Sequence, residues 1–200
     1  MTCTVYKLQI ISPRNSSLVQ ITLATMSKIA FVVDCDGFVL DKKFRPREMA
    51  LTYDSRDPIR YGFDLRRFQP RDNKELKTVR FCYRRIHKIP KDPYPKENVL
   101  DPESWGQIIW CHLENLKKST GCRELVVAYK GNQFIRDLLA EYDIPAVDIE
   151  KMGCPKPKDC FEMEHFRPCI FHDEWTKHCP CYKAVTFYSW LKSEHGDKLL

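Results

Sequence analysis

The 200-residue sequence has no apolar run of bilayer length, which excludes a transmembrane helix and with it a membrane partner. It also lacks a convincing secretory signal. Charges at Lys7 and Arg14 interrupt the first 27 residues, and their apolar stretch, Leu18 to Ala24, is short. Without export, the ten cysteines are expected to be thiols or metal ligands rather than disulfides, in an intracellular protein of the cytoplasm or nucleus. No acidic residue precedes Asp34, a pattern shared with mitochondrial presequences. The plainer expectation for residues 1–27 is a flexible leader or an over-extended start, since Met26 stands just before the first strand. No internal repeat or low-complexity block is present, which excludes a repeat architecture.

What is present suits one folded domain over residues 28–195, with residues 196–200 as a tail. Hydrophobic content of 43% and aromatic content of 12% exclude a disordered chain. A net charge of +6 permits a nucleic-acid partner without requiring one.

"KIAFVVDCDGF" (28–38) reads as a buried central strand, and "FRPREMALTYD" (44–54) and "IRYGFDL" (59–65) as its antiparallel successors. A short helix or strand is expected around Leu76 to Ile86, followed by loop. "DPESWGQIIWCHLENLKKST" (101–120) opens with an N-cap and a proline and closes at Gly121, as a helix should. "CRELVVAY" then reads as a strand, "NQFIRDLLAEYD" as a helix and "IPAVDIE" as a short strand. A cysteine-rich connection leads to a last helix from about Pro180 to Ser193, whose Ala184, Phe187, Tyr188 and Leu191 form one apolar face. The order βββαβαβα predicts an α/β fold of the ribonuclease H-like kind, a mixed sheet flanked by helices with a Cys/His cluster before the last helix.

Asp34 and Asp36 stand two apart on the first strand and share a face. Such a pair can hold Mg²⁺ or Mn²⁺ for phosphodiester chemistry, or simply cap the turn that follows. "VVDCDGF" resembles the Asp-x-Glu motif of the DEDD 3′–5′ exonucleases, with Asp36 in place of the glutamate. "ELVVAYKGNQFIRDLL" resembles their second motif, but Asn132 is one residue too close to Phe134 and Ile135 replaces the aspartate. Asp137 lies two residues further along, a helical rotation of about 200° away. His178 matches the last motif, yet Lys183 occupies the position of its aspartate. The resemblance thus implies a pseudoenzyme, in which Asp34, Asp36, Asp137 and His178 are vestigial.

Five cysteines, Cys154, Cys160, Cys169, Cys179 and Cys181, fall in one 28-residue window. Cys169 and His172 have the spacing to bind a metal from one turn, and Cys179 precedes a proline suited to the first position of a helix. The alternative is free thiols beside a satisfied histidine. "RPREMAL" together with "CIFHDEWTKHC" resembles the Maelstrom domain, a ribonuclease H-like branch with a Glu-Cys-His-Cys zinc site; its companion HMG box is absent here. The resemblance implies a structural Zn²⁺ on Glu48, Cys169, His172 and Cys179, with Cys181 and Cys160 as alternates, and Cys154 and His178 as remoter ones.

Between residues 60 and 91, Arg66, Arg67, Arg80, Arg84, Arg85 and Lys88 alternate with aromatics that include Phe81 and Tyr83. Cations neutralise phosphates while aromatics stack on bases, so this segment is a candidate nucleic-acid surface or else an ordinary solvated face. Single-stranded or structured RNA is the partner the family implies. Two rivals accompany this reading: a metal-dependent nuclease built on Asp34 and Asp36, and a protein-interaction scaffold.

Overall fold

The longest apolar run becomes the centre of the sheet. In the structure, a computed structural model describing residues 27–54, 57–160, 169 and 178–200, strand β1 (Lys28–Leu40) is flanked by β2 (Lys43–Thr52) and β5 (Leu125–Tyr129). Strand β3 (Ile59–Phe63), the two-residue β4 (Val99–Leu100) and β6 (Ala146–Asp148) complete a six-stranded sheet in the order β4-β3-β2-β1-β5-β6. The first three strands pair antiparallel, while β5 joins β1 and β6 joins β5 in parallel. The expected mixed α/β sheet is therefore present. Strand β4, which runs parallel to β3, is an addition too short to carry any periodic signal.

The helices are α1 (Asn73–Phe81), α2 (Trp105–Thr120), α3 (Gln133–Glu141) and α4 (Pro180–His195). Local chemistry sets their ends. The Asp72 and Asn132 side chains accept from Glu75 and Phe134 backbone amides, and Gly121 closes α2 in the left-handed conformation. Helix α1 runs on into a π-helical turn, Cys82–Ile86. The Asp-Pro-Glu start of the second long helix is a separate 3₁₀ turn, Pro102–Ser104, before α2.

Period-two alternation sorts β1 between two cores. Phe31, Val33 and Cys35 join Met49 and Leu51 beneath α2 and α3, where Ile109, Leu113, Ile135 and Leu139 are buried. On the other face Val32 packs with Phe187, Trp190 and Leu191 of α4, and Phe38 and Leu40 meet Val79 and Cys82 at α1. Helix α4 is buried over more than the single stripe expected: Pro180, Cys181, Val185 and Thr186 are also covered. Residues 196–200, expected from the sequence to be a tail, form a 3₁₀ turn and a bridge from Leu199 to Ile29.

The second face also receives the acids. Asp34 pairs with Ala50 and Asp36 with Glu48 across the β1–β2 ladder, so three carboxylates point at the start of α4. A bulge follows Asp36. There a Cβ on Gly37 would stand 2.1 Å from the Arg45 carbonyl oxygen, so only glycine permits this approach of the two backbones.

Candidate metal centre and the acidic pair beside it

Helix α4 begins with Cys179 as N-cap and Pro180 in its first turn, as the sequence predicts. That start presents Cys179, Cys181 and Lys183 to the sheet. The sulfurs of Cys169, Cys179 and Cys181 lie within 4.8 Å of one another, and all three residues are buried. Around them pack Ala50, Ala184 and Val185. The Cys169 thiol donates to Glu48 Oε1 at 3.0 Å, bringing the second strand to the cluster. Of the predicted ligands, Glu48, Cys169, Cys179 and the alternate Cys181 therefore meet, whereas His172 lies outside the described residues. Cys160 does not join them: it belongs with Cys154, Ile149 and Trp190 to a separate buried cluster.

The electrostatics suit a cation. Hydrogen bonding within the cluster, with Cys169 and Cys181, lowers the Cys179 thiol to about 4. Hydrogen bonding with Cys169 and with Cys179, together with burial, pushes Cys181 up. A donor set of thiols and a carboxylate fits a d¹⁰ ion such as zinc, which takes Cys and Glu ligands in a closed tetrahedron. Glu48 is further oriented by Arg60, whose Nε donates to the same Oε1 at 2.5 Å. Arg60 in turn reaches Glu97, which accepts two hydrogen bonds from the fully buried Arg47 at 3.0 and 2.6 Å. Sequence reading missed this chain of ion pairs. Its only local signal is that Arg60 and Gly62 alternate on β3, next to Glu48.

Asp34 and Asp36 meet a different partner. Lys183 Nζ is 2.5 Å from Asp34 Oδ2 and 3.5 Å from Asp36 Oδ1, with Asp34 almost fully buried. Burial raises the Asp34 carboxyl to about 7, with Asp36 and Glu48 adding to the rise and Lys183 opposing it. Burial alone would pull the Lys183 ammonium down, but Asp34 and Asp36 outweigh it and raise it. The pair thus already holds a fixed cation where a divalent ion would need to sit. Asp137 is exposed and paired with Arg136 on α3, and Ile135 is core on the far side of the sheet. His178 is exposed in the turn before α4. Asp137 therefore does not supply a missing carboxylate.

The six basic candidates separate into two groups. Arg66 pairs with Asp64, and Arg67 with Asp101 and Glu103. Arg80, Arg84 and Arg85 are exposed along α1 and its π-helical extension, and Lys88 just beyond it, with no carboxylate in ion-pair reach among the described residues. Phe81 and Tyr83 beside them are 57% and 45% exposed. Among the described residues, no helix is long and apolar enough to cross a membrane.

The fold and site together define a mixed α/β domain with a buried cysteine cluster able to hold a metal. No family model, curated protein or solved structure matches the chain.

Proposed function

We propose that the chain is a zinc-stapled, ribonuclease H-like, Maelstrom-like domain that binds nucleic acid, foremost RNA, and has no exonuclease activity. The observation that carries this reading is Lys183, whose ammonium neutralises Asp34 and Asp36. Two-metal phosphodiester hydrolysis requires carboxylates free to bind divalent ions, and a resident ammonium competes for the same oxygens. Zinc, when bound, supplies a structural crosslink. Glu48, Cys169 and Cys179 would hold it, tying β2 and the approach to α4 to that helix's first turn. RNA binding is supported by Arg80, Arg84, Arg85 and Lys88 interleaved with exposed Phe81 and Tyr83, a pattern suited to phosphates and unstacked bases.

The test is incubation of the purified chain with end-labelled single-stranded RNA in Mg²⁺ or Mn²⁺. The expected outcome is a salt-sensitive complex and intact RNA. Cleavage that disappears in Asp34→Ala would establish the nuclease rival instead. Failure to bind at any salt concentration would leave the domain as a protein-interaction scaffold.

A further inference from the structure

Arg45 carries a guanidinium with too few acceptors around it. Its side chain is only 15% exposed, and its buried Nε–H reaches no hydrogen-bond acceptor among the described residues. Its ion pair with Glu103 is long, 3.9 Å, and Arg67 holds the same carboxylate oxygen closer, at 3.1 Å. The Phe68 ring, centred 4.3 Å from Arg45 Cζ, covers one face of the guanidinium but offers it no acceptor. Trp105 repeats the pattern. The residue is 3% exposed, and its indole N–H, which can only donate, has no partner there either. Buried donors left in this way are costly, so two of them in one place call for an explanation.

Arg45 and Trp105 line the same cavity, of about 20 Å³, which opens between the start of β2, the amino end of α2 and the end of α3. Phe44, Leu138 and Tyr142 supply apolar wall. Tyr142 is firmly held: its hydroxyl donates to the Glu103 carbonyl and its own carbonyl accepts from Trp110 Nε1, both at 2.9 Å. A Cβ on Gly106 would stand 2.3 Å from the Tyr142 ring, so the glycine lets that wall close against α2. Trp105 and Leu138 belong to the core beneath α2 and α3, across the sheet from the cysteine cluster.

We propose that this cavity binds a small monocarboxylate, whose oxygens accept from Arg45 Nε and Trp105 Nε1. Two orphan N–H donors require an acceptor, and the Arg45 charge, with no carboxylate close to it, favours an anion. The amino end of the 16-residue α2, whose first turn holds no acidic side chain, favours the same sign. Glu103 and Glu141 also line the cavity, Glu141 paired with Lys43, and they weigh against a dianion such as phosphate. The volume suits about one or two oxygen-sized atoms, which is the head of a carboxylate with its substituent at the mouth.

Titration of the ¹⁵N-labelled full chain with acetate at constant ionic strength tests the assignment. The Trp105 indole N–H resonance, identified by its loss in Trp105→Phe, should move downfield and saturate, while that of Trp110, already bonded to Tyr142, stays in place. Acetamide, of the same shape without the charge, should leave the Trp105 resonance nearly unmoved. Arg45→Gln should weaken acetate binding about 10-fold or more. Should either variant fail to fold, nuclear Overhauser contacts with the Tyr142 ring, centred 5.8 Å away, identify the Trp105 indole in the wild-type protein. Its response to acetate against acetamide then decides the matter alone. An absent or non-saturating shift, an equal shift with acetamide, tighter binding of phosphate than of acetate, or full binding retained by Arg45→Gln would each overturn the assignment.

Discussion

Asp36 and Glu48 face each other across one rung of the β1–β2 ladder, yet their carboxylates are neutralised in unlike ways. The Asp34–Asp36 pair receives an ammonium from Lys183, while Glu48 receives a guanidinium from Arg60 and a thiol from Cys169. Both answers depend on the first turns of α4. Cys179 and Lys183 are four residues apart, so they lie one above the other on the same helix face. A single helix start thus serves a metal-capable cluster and an acidic pair already filled by a lysine. Carboxylates buried on a sheet face need a cation, but the type of cation decides the chemistry. A fixed ammonium gives stability and no Lewis acid, whereas the three thiols beside Glu48 form a cluster able to hold a metal.

The largest effect should come from removing the metal. Chelation of reduced protein is expected to lower the melting temperature by roughly 10 °C or more, restored by zinc, because a structural ion contributes directly to folding. An unchanged melting curve would break the metal half of the comparison. Next in size is Lys183→Met, which strands two buried carboxylates and should cost about 3–5 kcal/mol. The double variant Lys183→Met/Asp34→Asn should recover most of that loss; additive losses would show that the ammonium and the acids are not one unit.

Asp34 sharpens the comparison through pH. Its folded pKa is raised from 3.8 to about 7, so the folded state retains a proton that the unfolded chain releases. The contribution to stability is full below about pH 3.8 and is lost as pH rises through about 7. Relative to wild type, Asp34→Asn should therefore gain stability between pH 5 and 8, measured as the difference in chemical denaturation midpoints. A constant difference across that range would contradict the raised Asp34 pKa.

Smaller effects belong to the exposed ridge on α1. Replacing Arg80, Arg84 and Arg85 by alanine should flatten the salt dependence of single-stranded RNA binding, by about 0.7 in the log–log slope for each phosphate no longer neutralised. Phe81→Ala should weaken binding by about 1–3 kcal/mol if a base stacks there. Arg66→Ala, which removes a cation already paired with Asp64, should do least.

Where periodicity and capping speak, the sequence is a good guide: β1, the Cys179 cap and the Gly121 stop all lie where local chemistry puts them. The acidic pair was legible because two residues of one strand necessarily share a face, and the lysine was legible because it stood where a carboxylate was expected. Arg60 was not, since a cation on a neighbouring strand announces no register until the strands pair. Nor could spacing choose between Cys160 and Cys181. The two fall in different buried clusters, a matter of tertiary contact. Strand β4 escaped notice because two residues have no period.

One end of this sheet face is expected to take a structural zinc, and the other none of the magnesium-like ions. Anomalous difference maps at the zinc and manganese edges, from crystals of the chain grown with zinc and soaked in Mn²⁺, test it directly. One zinc peak is expected among Cys169, Cys179 and Cys181 beside Glu48, and no manganese peak between Asp34 and Asp36. Manganese at the aspartate pair, or sulfurs without zinc, would contradict it.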